Sequence, residues 1–453
     1  MNTSVTRLAS LGHALQRHRP VVIALQWAVV ACYIVLVVVP AFMPMPPAEA
    51  TITSNLRLFA QFAFWGIWWP FVILSVMLFG RMWCGVLCPE GALTEWASHH
   101  GLGRSIPRWI RWSGWPFVAF VCTTIYGQLI SVYEYPQATL LILGGSTLVA
   151  MAVGFVFGRG KRVWCRYLCP VSGVFGLLAK VAPMHYRTDA EQWVQHTGPR
   201  TRVNCAPLLD MRHLSSASDC HACGRCSGHR NAIALSWRSP CQEIVSAPAS
   251  PAQRYPARLL VFGILGLALG AFQWTVSPIF VSLKQAAAQW LINHEHYALL
   301  QDNAPWWLLT HVPEAGDVFN WLDGLAILAY LALTTAVIGG STWLALMGAA
   351  RVLGAPRQGW SSLAMALVPL GGTSLFLGLS MLTLTQLRAD GVVFSWMGWA
   401  RALVLCGGLA WSAWLGLRLI GPRKASIARR VGAGLCFAVP LTLVGASWIG
   451  VFY

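Results

Sequence analysis

The run Cys220-His-Ala-Cys223-Gly-Arg-Cys226 sets three thiols at C-x2-C-x2-C spacing. That spacing wraps three corners of a [4Fe–4S] cube, whereas structural zinc sites use two separated pairs. Arg230 stands where the usual fourth cysteine would be, so the fourth thiolate has to come from farther along the chain. Cys205, in Asn-Cys-Ala-Pro, is the first candidate and Cys241, in Ser-Pro-Cys, the alternative. Two further pairs lie upstream, Arg81-Met-Trp-Cys-Gly-Val-Leu-Cys-Pro89 and Arg162-Val-Trp-Cys-Arg-Tyr-Leu-Cys-Pro170. Their cysteines, Cys84, Cys88, Cys165 and Cys169, supply the four thiolates that one cubane cluster requires. The bland alternative is buried free thiols at a helix start. Against it stands a nine-residue pattern repeated 81 residues later with identity at Arg, Trp, both Cys, Leu and Pro. Cys32, Cys122, Cys406 and Cys436 occur singly in apolar stretches, where cysteine packs as a small hydrophobe.

These thiols have to be carried by membrane helices. Of 453 residues, 56% are apolar and 10% charged, against about 25% charged in a soluble domain. Stretches able to cross ~30 Å of hydrocarbon run over 21–43, 56–79, 115–132, 139–157, 259–281, 321–346, 363–387, 399–419 and 431–451. The expected fold is an all-α polytopic membrane protein of about nine transmembrane helices, with a small ferredoxin-like iron–sulfur loop module on the cytoplasmic side.

Sidedness follows from Lys and Arg, which accumulate on cytoplasmic loops. With the N-terminus inside, all basic residues except Arg57, Lys284, Arg388 and Arg401 face the cytoplasm, 28 of 32. An odd number of spans puts the C-terminus outside. The expected location is therefore a bacterial inner (cytoplasmic) membrane, crossed many times. The first span follows basic residues and precedes Ala48-Glu49-Ala50, as a secretory signal would, but its apolar core is too long and reads as an anchor. The net charge of +17 is accounted for by span ends facing anionic lipid, and no nucleic acid is expected as a partner.

Four regions result: an anchor span at 1–55, paired helical hairpins with the two C-x3-C-P motifs at 56–180, a ferredoxin-like module and tether at 181–257, and a five-span domain at 258–453 with an outer loop at 282–320. Each hairpin motif follows a span ending on the same side, so both cysteine pairs should emerge at one depth. Pro after each second cysteine suits the first turn of a helix, where the macrodipole stabilises a thiolate. In a reducing interior, clustered cysteines bind metal more often than they form disulfides.

Other carriers find little support. All twelve histidines fall in loops or at the chain ends, and no C-x2-C-H motif is present, so no haem is expected. The outer loop offers His294, His296 and His311 as a weak metal or proton-relay set, beside Glu314 and Asp317. Interfacial histidines among Trp290, Trp306 and Trp307 are also what an aromatic belt brings. Asp323, just inside a span, has a functional reading as an intramembrane ionisable group and a plain one at headgroup level.

The repeated C-x3-C-P pairs followed by a ferredoxin-like run resemble the membrane-bound polyferredoxin family, which includes NapH-type quinol dehydrogenase subunits, NosR-type proteins and CcoG-type assembly proteins. The resemblance covers about 56–243. It implies two [4Fe–4S] clusters, with Cys84, Cys88, Cys165, Cys169, Cys220, Cys223 and Cys226 matching the ligand motifs, and electron exchange with quinone or another redox partner. The chain departs from the family in having one ferredoxin-like run, no flavin-binding outer domain, and five later spans outside the resemblance. The function expected is electron transfer between a cytoplasmic carrier of ferredoxin or flavodoxin type and the quinone pool or a membrane redox partner, as a quinone-linked oxidoreductase or electron-transfer subunit. Alternatives of another class are a CcoG-like maturation factor or metal reductase and a redox sensor.

Overall fold

The computed structural model describes residues 3–198, 203–246, 253–354, 359–421 and 425–452. Among them, eight helices are long and apolar enough to cross a membrane: Arg19–Phe42, Leu56–Phe79, Pro136–Phe157, Arg254–Val276, Trp321–Val352, Gly359–Ala389, Met397–Ile420 and Ile427–Phe452. The protein is thus a helical, multi-pass membrane protein. The expected span at 115–132 is a helix of 15 residues, Trp115–Leu129, which rises about 23 Å and falls short of the ~30 Å hydrocarbon layer. It stops because Ser131 takes a left-handed φ of 48° and Val132 turns back to bond the Gly127 carbonyl at 2.9 Å.

The chain divides into two compact units. The first comprises Met1–Val35, Phe71–Ala119 and Gly145–Ala247, and the second Leu36–Pro70, Phe120–Gly144 and Pro248–Tyr453.

The first unit carries every cysteine of the three motifs. Its helix Pro89–His99 packs on Gly145–Phe157 through Gly154, where an added Cβ would come within 2.5 Å of the Thr94 carbonyl. Thr94 Oγ1 donates to the Ala150 carbonyl at 2.6 Å across the same contact. The loop module is bracketed by an antiparallel pair, β1 (Met184–Thr188) and β2 (Ile233–Trp237), with Met184 opposite Trp237 and Thr188 opposite Ile233. Alternation of side chains turns Tyr186, Ile233 and Leu235 into a core with Leu214, Cys220 and Ala222. The helix Thr3–Arg17 lies over this module: Leu8 joins the core, and Gly12 is so close that a Cβ would meet Ser227 Oγ at 2.8 Å and Tyr186 Oη at 3.1 Å.

In the second unit, Arg254–Val276 and Gly359–Ala389 are each 72% buried and form its centre. Small residues allow the helices to approach, as membrane packing favours: Gly408 faces Thr373, Gly416 faces Phe437, and Gly270 faces Thr334. The loop at 282–320, expected to face outward, is more ordered than its length suggests. It begins with a helix, Pro278–Asn293, started by Ser277 as N-cap and Pro278 at the first position, and contains a hairpin of β3 (His311–Val312) and β4 (Asp317–Val318). Asp323 is a capping residue: it exchanges backbone bonds with Asn320 in a capping box and pairs with Lys284.

Candidate functional site

Cys84 lies on a π-helical turn, Trp83–Leu87, and Cys88 caps the helix Pro89–His99, its sulfur accepting from Gly91 N–H at 3.3 Å. Pro89 occupies the first helical position, as its fixed φ favours. The second copy differs. Its helix starts two residues after Pro170, at Ser172, because Ser172 Oγ reaches back to the Cys165 carbonyl at 2.8 Å while receiving Arg81 Nη2 at 2.9 Å.

Cys84, Cys165 and Cys169 are each less than a tenth exposed. Burial pushes the Cys88 thiol up to about 12 and those of Cys165 and Cys169 well above the ordinary range, and the negative charge the four would share raises them further. Glu90 stands beside them, its Oε1 accepting from Ser146 at 2.6 Å. Burial raises this carboxyl, and the Ser146 hydrogen bond only partly offsets the rise. Without a metal the Cys88, Cys165 and Cys169 thiols stay protonated, so a bound cluster would hold them as thiolates and release protons on binding.

In the loop run, burial lifts Cys220 to about 12 and Cys226 further, and the charges of Cys223 and Cys205 act on both. Cys205 is pinned to the start of the second C-x3-C-P motif. Lys161 Nζ bonds the Cys205 carbonyl at 3.0 Å, Arg162 N–H bonds the Ala206 carbonyl at 2.8 Å, and Asn204 Nδ2 bonds the Gly160 carbonyl at 2.9 Å. Cys241 is fully buried at the turn into Gln242–Ser246, its N–H donating to the Val181 carbonyl at 3.3 Å. The two cysteine sets abut. A Cβ on Gly85 would lie 2.9 Å from both N and Cα of Cys223 and closer still to the His221 carbonyl oxygen, so only glycine admits the loop here.

Charged side chains that the motifs did not announce join the sets. Glu95 accepts from Arg162 Nε at 2.8 Å and from Arg225 Nη2 at 2.7 Å, and Arg162 Nη1 also donates to the Cys84 carbonyl. Burial alone would raise the Glu95 carboxyl, but the two guanidiniums outweigh it and hold it below the carboxylate range. The sequence signal was in view: Arg81 and Arg162 are identical positions of the repeat. His221 is 1% exposed, and burial, followed by the surrounding Arg81, Arg162, Arg166 and Arg225, keeps it neutral.

A [4Fe–4S] cluster suits these surroundings. Both ring nitrogens of His221, Nε of Arg81 and Nη2 of Arg162 are buried without a hydrogen-bond partner among the described residues. Orphaned buried donors are costly; Nε–H of Arg81, Nη2–H of Arg162 and the single N–H of neutral His221 could each donate to anionic thiolate or sulfide sulfurs. Among the described residues, no three His, Cys, Asp or Glu side chains converge on a point to hold a single metal ion. Cubane ligands each bind a different iron and need no such convergence. In the loop at 282–320, the same result means that His294, His296 and His311 are not brought together. His294 instead stacks on Trp290 with ring centroids 4.4 Å apart and bonds its carbonyl at 2.8 Å, while His311 pairs with Val318 in the β3–β4 hairpin.

Residues 61–110 and 140–188 match the family model of a 4Fe-4S binding domain. The chain is 23% identical over 240 residues to the putative electron transport protein YccM of Escherichia coli (strain K12), covering 46% of this chain and 66% of that protein. It is 28% identical over 174 residues to the ferredoxin-type protein NapH of Escherichia coli (strain K12), covering 34% of this chain and 60% of that protein. It is 28% identical over 186 residues to the regulatory protein NosR of Pseudomonas aeruginosa, covering 35% of this chain and 25% of that protein. The chain therefore spans less than two thirds of each of these relatives. No solved structure matches it. Each C-x3-C-P motif thus lies in a segment that matches a 4Fe-4S binding domain, set in a membrane-embedded iron–sulfur electron-transfer protein similar to the ferredoxin-type proteins of the membrane-bound polyferredoxin family.

Proposed function

We propose that this protein relays electrons between a cytoplasmic carrier of ferredoxin or flavodoxin type and the quinone pool or a membrane redox partner. Two [4Fe–4S] clusters, each a one-electron carrier, would be bound, one by Cys84, Cys88, Cys165 and Cys169 and the other by Cys220, Cys223, Cys226 and Cys205. The observation that supports the reading is the seating of Gly85 on the Cys223 backbone, which puts the backbones of the two cysteine sets in contact at this point. Favouring Cys205 over Cys241 is its electrostatic grouping with Cys220, Cys223 and Cys226. The basic residues gathered on the expected cytoplasmic side would steer an acidic carrier to the loop module.

A cavity of about 130 Å³ at the start of the first span supports contact with a lipid-soluble carrier. It is lined by apolar Leu15, Val22 and Ile23 and by Arg19, Gln26 and Arg225, and it reaches Gly85 and Cys223. Rapid mixing of the anaerobic, dithionite-reduced protein with a ubiquinone or menaquinone analogue tests the relay. Both clusters should reoxidise, and Cys84→Ser or Cys169→Ser should block reoxidation of the loop cluster. Unchanged loop-cluster reoxidation in a folded variant lacking the other cluster would reject the order of transfer.

A further inference from the structure

Arg81 and Arg162 stand three residues ahead of the first cysteine in each copy of the repeat, and both are buried, 4% and 1% exposed. Arg81 donates from Nη1 to the Ser218 carbonyl and from Nη2 to Ser172 Oγ, each at 2.9 Å. Arg162 donates from Nε to Glu95 at 2.8 Å and from Nη1 to the Cys84 carbonyl. Each keeps one further buried N–H, on Nε of Arg81 and Nη2 of Arg162, with no partner among the described residues. Their charges cross between the copies: Arg81 acts on Cys84 of its own copy and on Cys169 of the other, and Arg162 on Cys165 of its own copy, on Cys88 of the other and on Cys223 of the loop run.

Structural anchoring alone would explain the bonded nitrogens. It leaves unexplained why two always-charged side chains were buried with a donor idle, at equivalent places, against four cysteines. We propose that Arg81 and Arg162 set the reduction potential of the cluster bound by Cys84, Cys88, Cys165 and Cys169, each adding a positive charge and a free N–H donor at its sulfur edge. The inference rests on the ligand assignment made under the proposed function. Four thiolates make the cluster anionic, and accepting one electron adds a further negative charge. Nearby cations and hydrogen bonds to sulfur therefore stabilise the reduced form more than the oxidised one and raise the potential, with little screening in a buried site. Glu95 works against Arg162, placing a carboxylate on the same guanidinium.

The test is an EPR-monitored redox titration of the anaerobically purified full-length protein. Arg81→Met and Arg162→Met should each lower the midpoint of that cluster by at least about tenfold in the reduction equilibrium, about 59 mV for one electron. Arg162→Lys, which keeps the charge, should lower it less, and Glu95→Gln should raise it. A merely structural role would move both Arg162→Met and Glu95→Gln in one direction or neither, and either result would overturn the proposal. If the Met variants lose the cluster, the opposite signs of Arg162→Lys and Glu95→Gln still decide. Wild-type protein free of iron would instead overturn the ligand assignment itself.

Discussion

Arg162 and Glu95 meet at 2.8 Å with side chains 1% and 8% exposed, and Arg225, between Cys223 and Cys226, closes on the same carboxylate. One acid thus ties the helix after the first C-x3-C-P motif to the start of the second and to the loop run. Removing it leaves two buried cations uncompensated, at a cost of about 3–5 kcal/mol. Glu95→Ala should lower the melting temperature in detergent and weaken both clusters' signals together, whereas His99→Ala, on the exposed side of the same acid, should change neither.

The ligand sets predict an iron count and a pattern of loss. Anaerobic protein should hold about eight iron atoms per chain, as two four-iron clusters. Cys165→Ala should abolish one EPR signal and spare the other. Cys205→Ser should remove the loop-cluster signal while Cys241→Ser preserves it, and the reverse result would exchange their roles.

Gly85→Ala should disturb the contact between the cysteine sets without touching a thiol. Overpacking of this kind costs about 1–3 kcal/mol, and the expected result is a folded protein that retains its iron but passes electrons between the clusters more slowly, read by rapid-mixing absorbance.

Glu243 gives a pH dependence. Burial would raise its carboxyl, but Lys180 at 3.0 Å, Arg238 at 2.7 Å and the Ser216 hydroxyl at 2.6 Å bring it down to about 2. A depressed folded-state value contributes stability that is complete above the unfolded carboxylate value, about 4.3, and that is lost as pH falls toward 2. Unfolding of the loop module should therefore set in below about pH 4. In Glu243→Gln that acid-dependent step should flatten, with stability lower at neutral pH.

If Asp323 is a helix cap, Asn320→Ala should cost about 1 kcal/mol and leave cluster reoxidation by quinone analogues unchanged. Slowed reoxidation in Asp323→Asn with an intact melting temperature would return it to a functional role.

Spacing made the thiols of the three motifs legible because their geometry is local: C-x2-C-x2-C and C-x3-C-P specify where each sulfur stands relative to its neighbours. The Pro89 helix start followed from the same local rule, and the shifted start at Ser172 did not, since it depends on Arg81 from 91 residues away. Apolar runs gave the long helices but overstated 115–132, where the turn at Ser131 intervenes. The helix Pro278–Asn293 was hidden because the apolar run 259–281 reads across the break at Ser277 and Pro278, where the preceding span has ended at Val276. Partners of Glu95 and the covering role of Thr3–Arg17 lie far off in sequence, and no periodicity announces them. The repeat did preserve one clue, the paired arginines, whose conspicuous identity came with no local reason.

The helix Thr3–Arg17 leaves the ribosome well before β2, Ile233–Trp237, which completes the surface that it covers. Between the two events the ribosome adds some two hundred residues, at about 5–20 per second, and several membrane segments are inserted. During those seconds the helix has no surface to dock on, because Cys220, Cys223, Cys226 and β2 are still to be made. The module therefore closes only after synthesis has passed Trp237, when Leu8 and Gly12 return to strands made long after them, and a bulky group fused ahead of this helix should hinder that return.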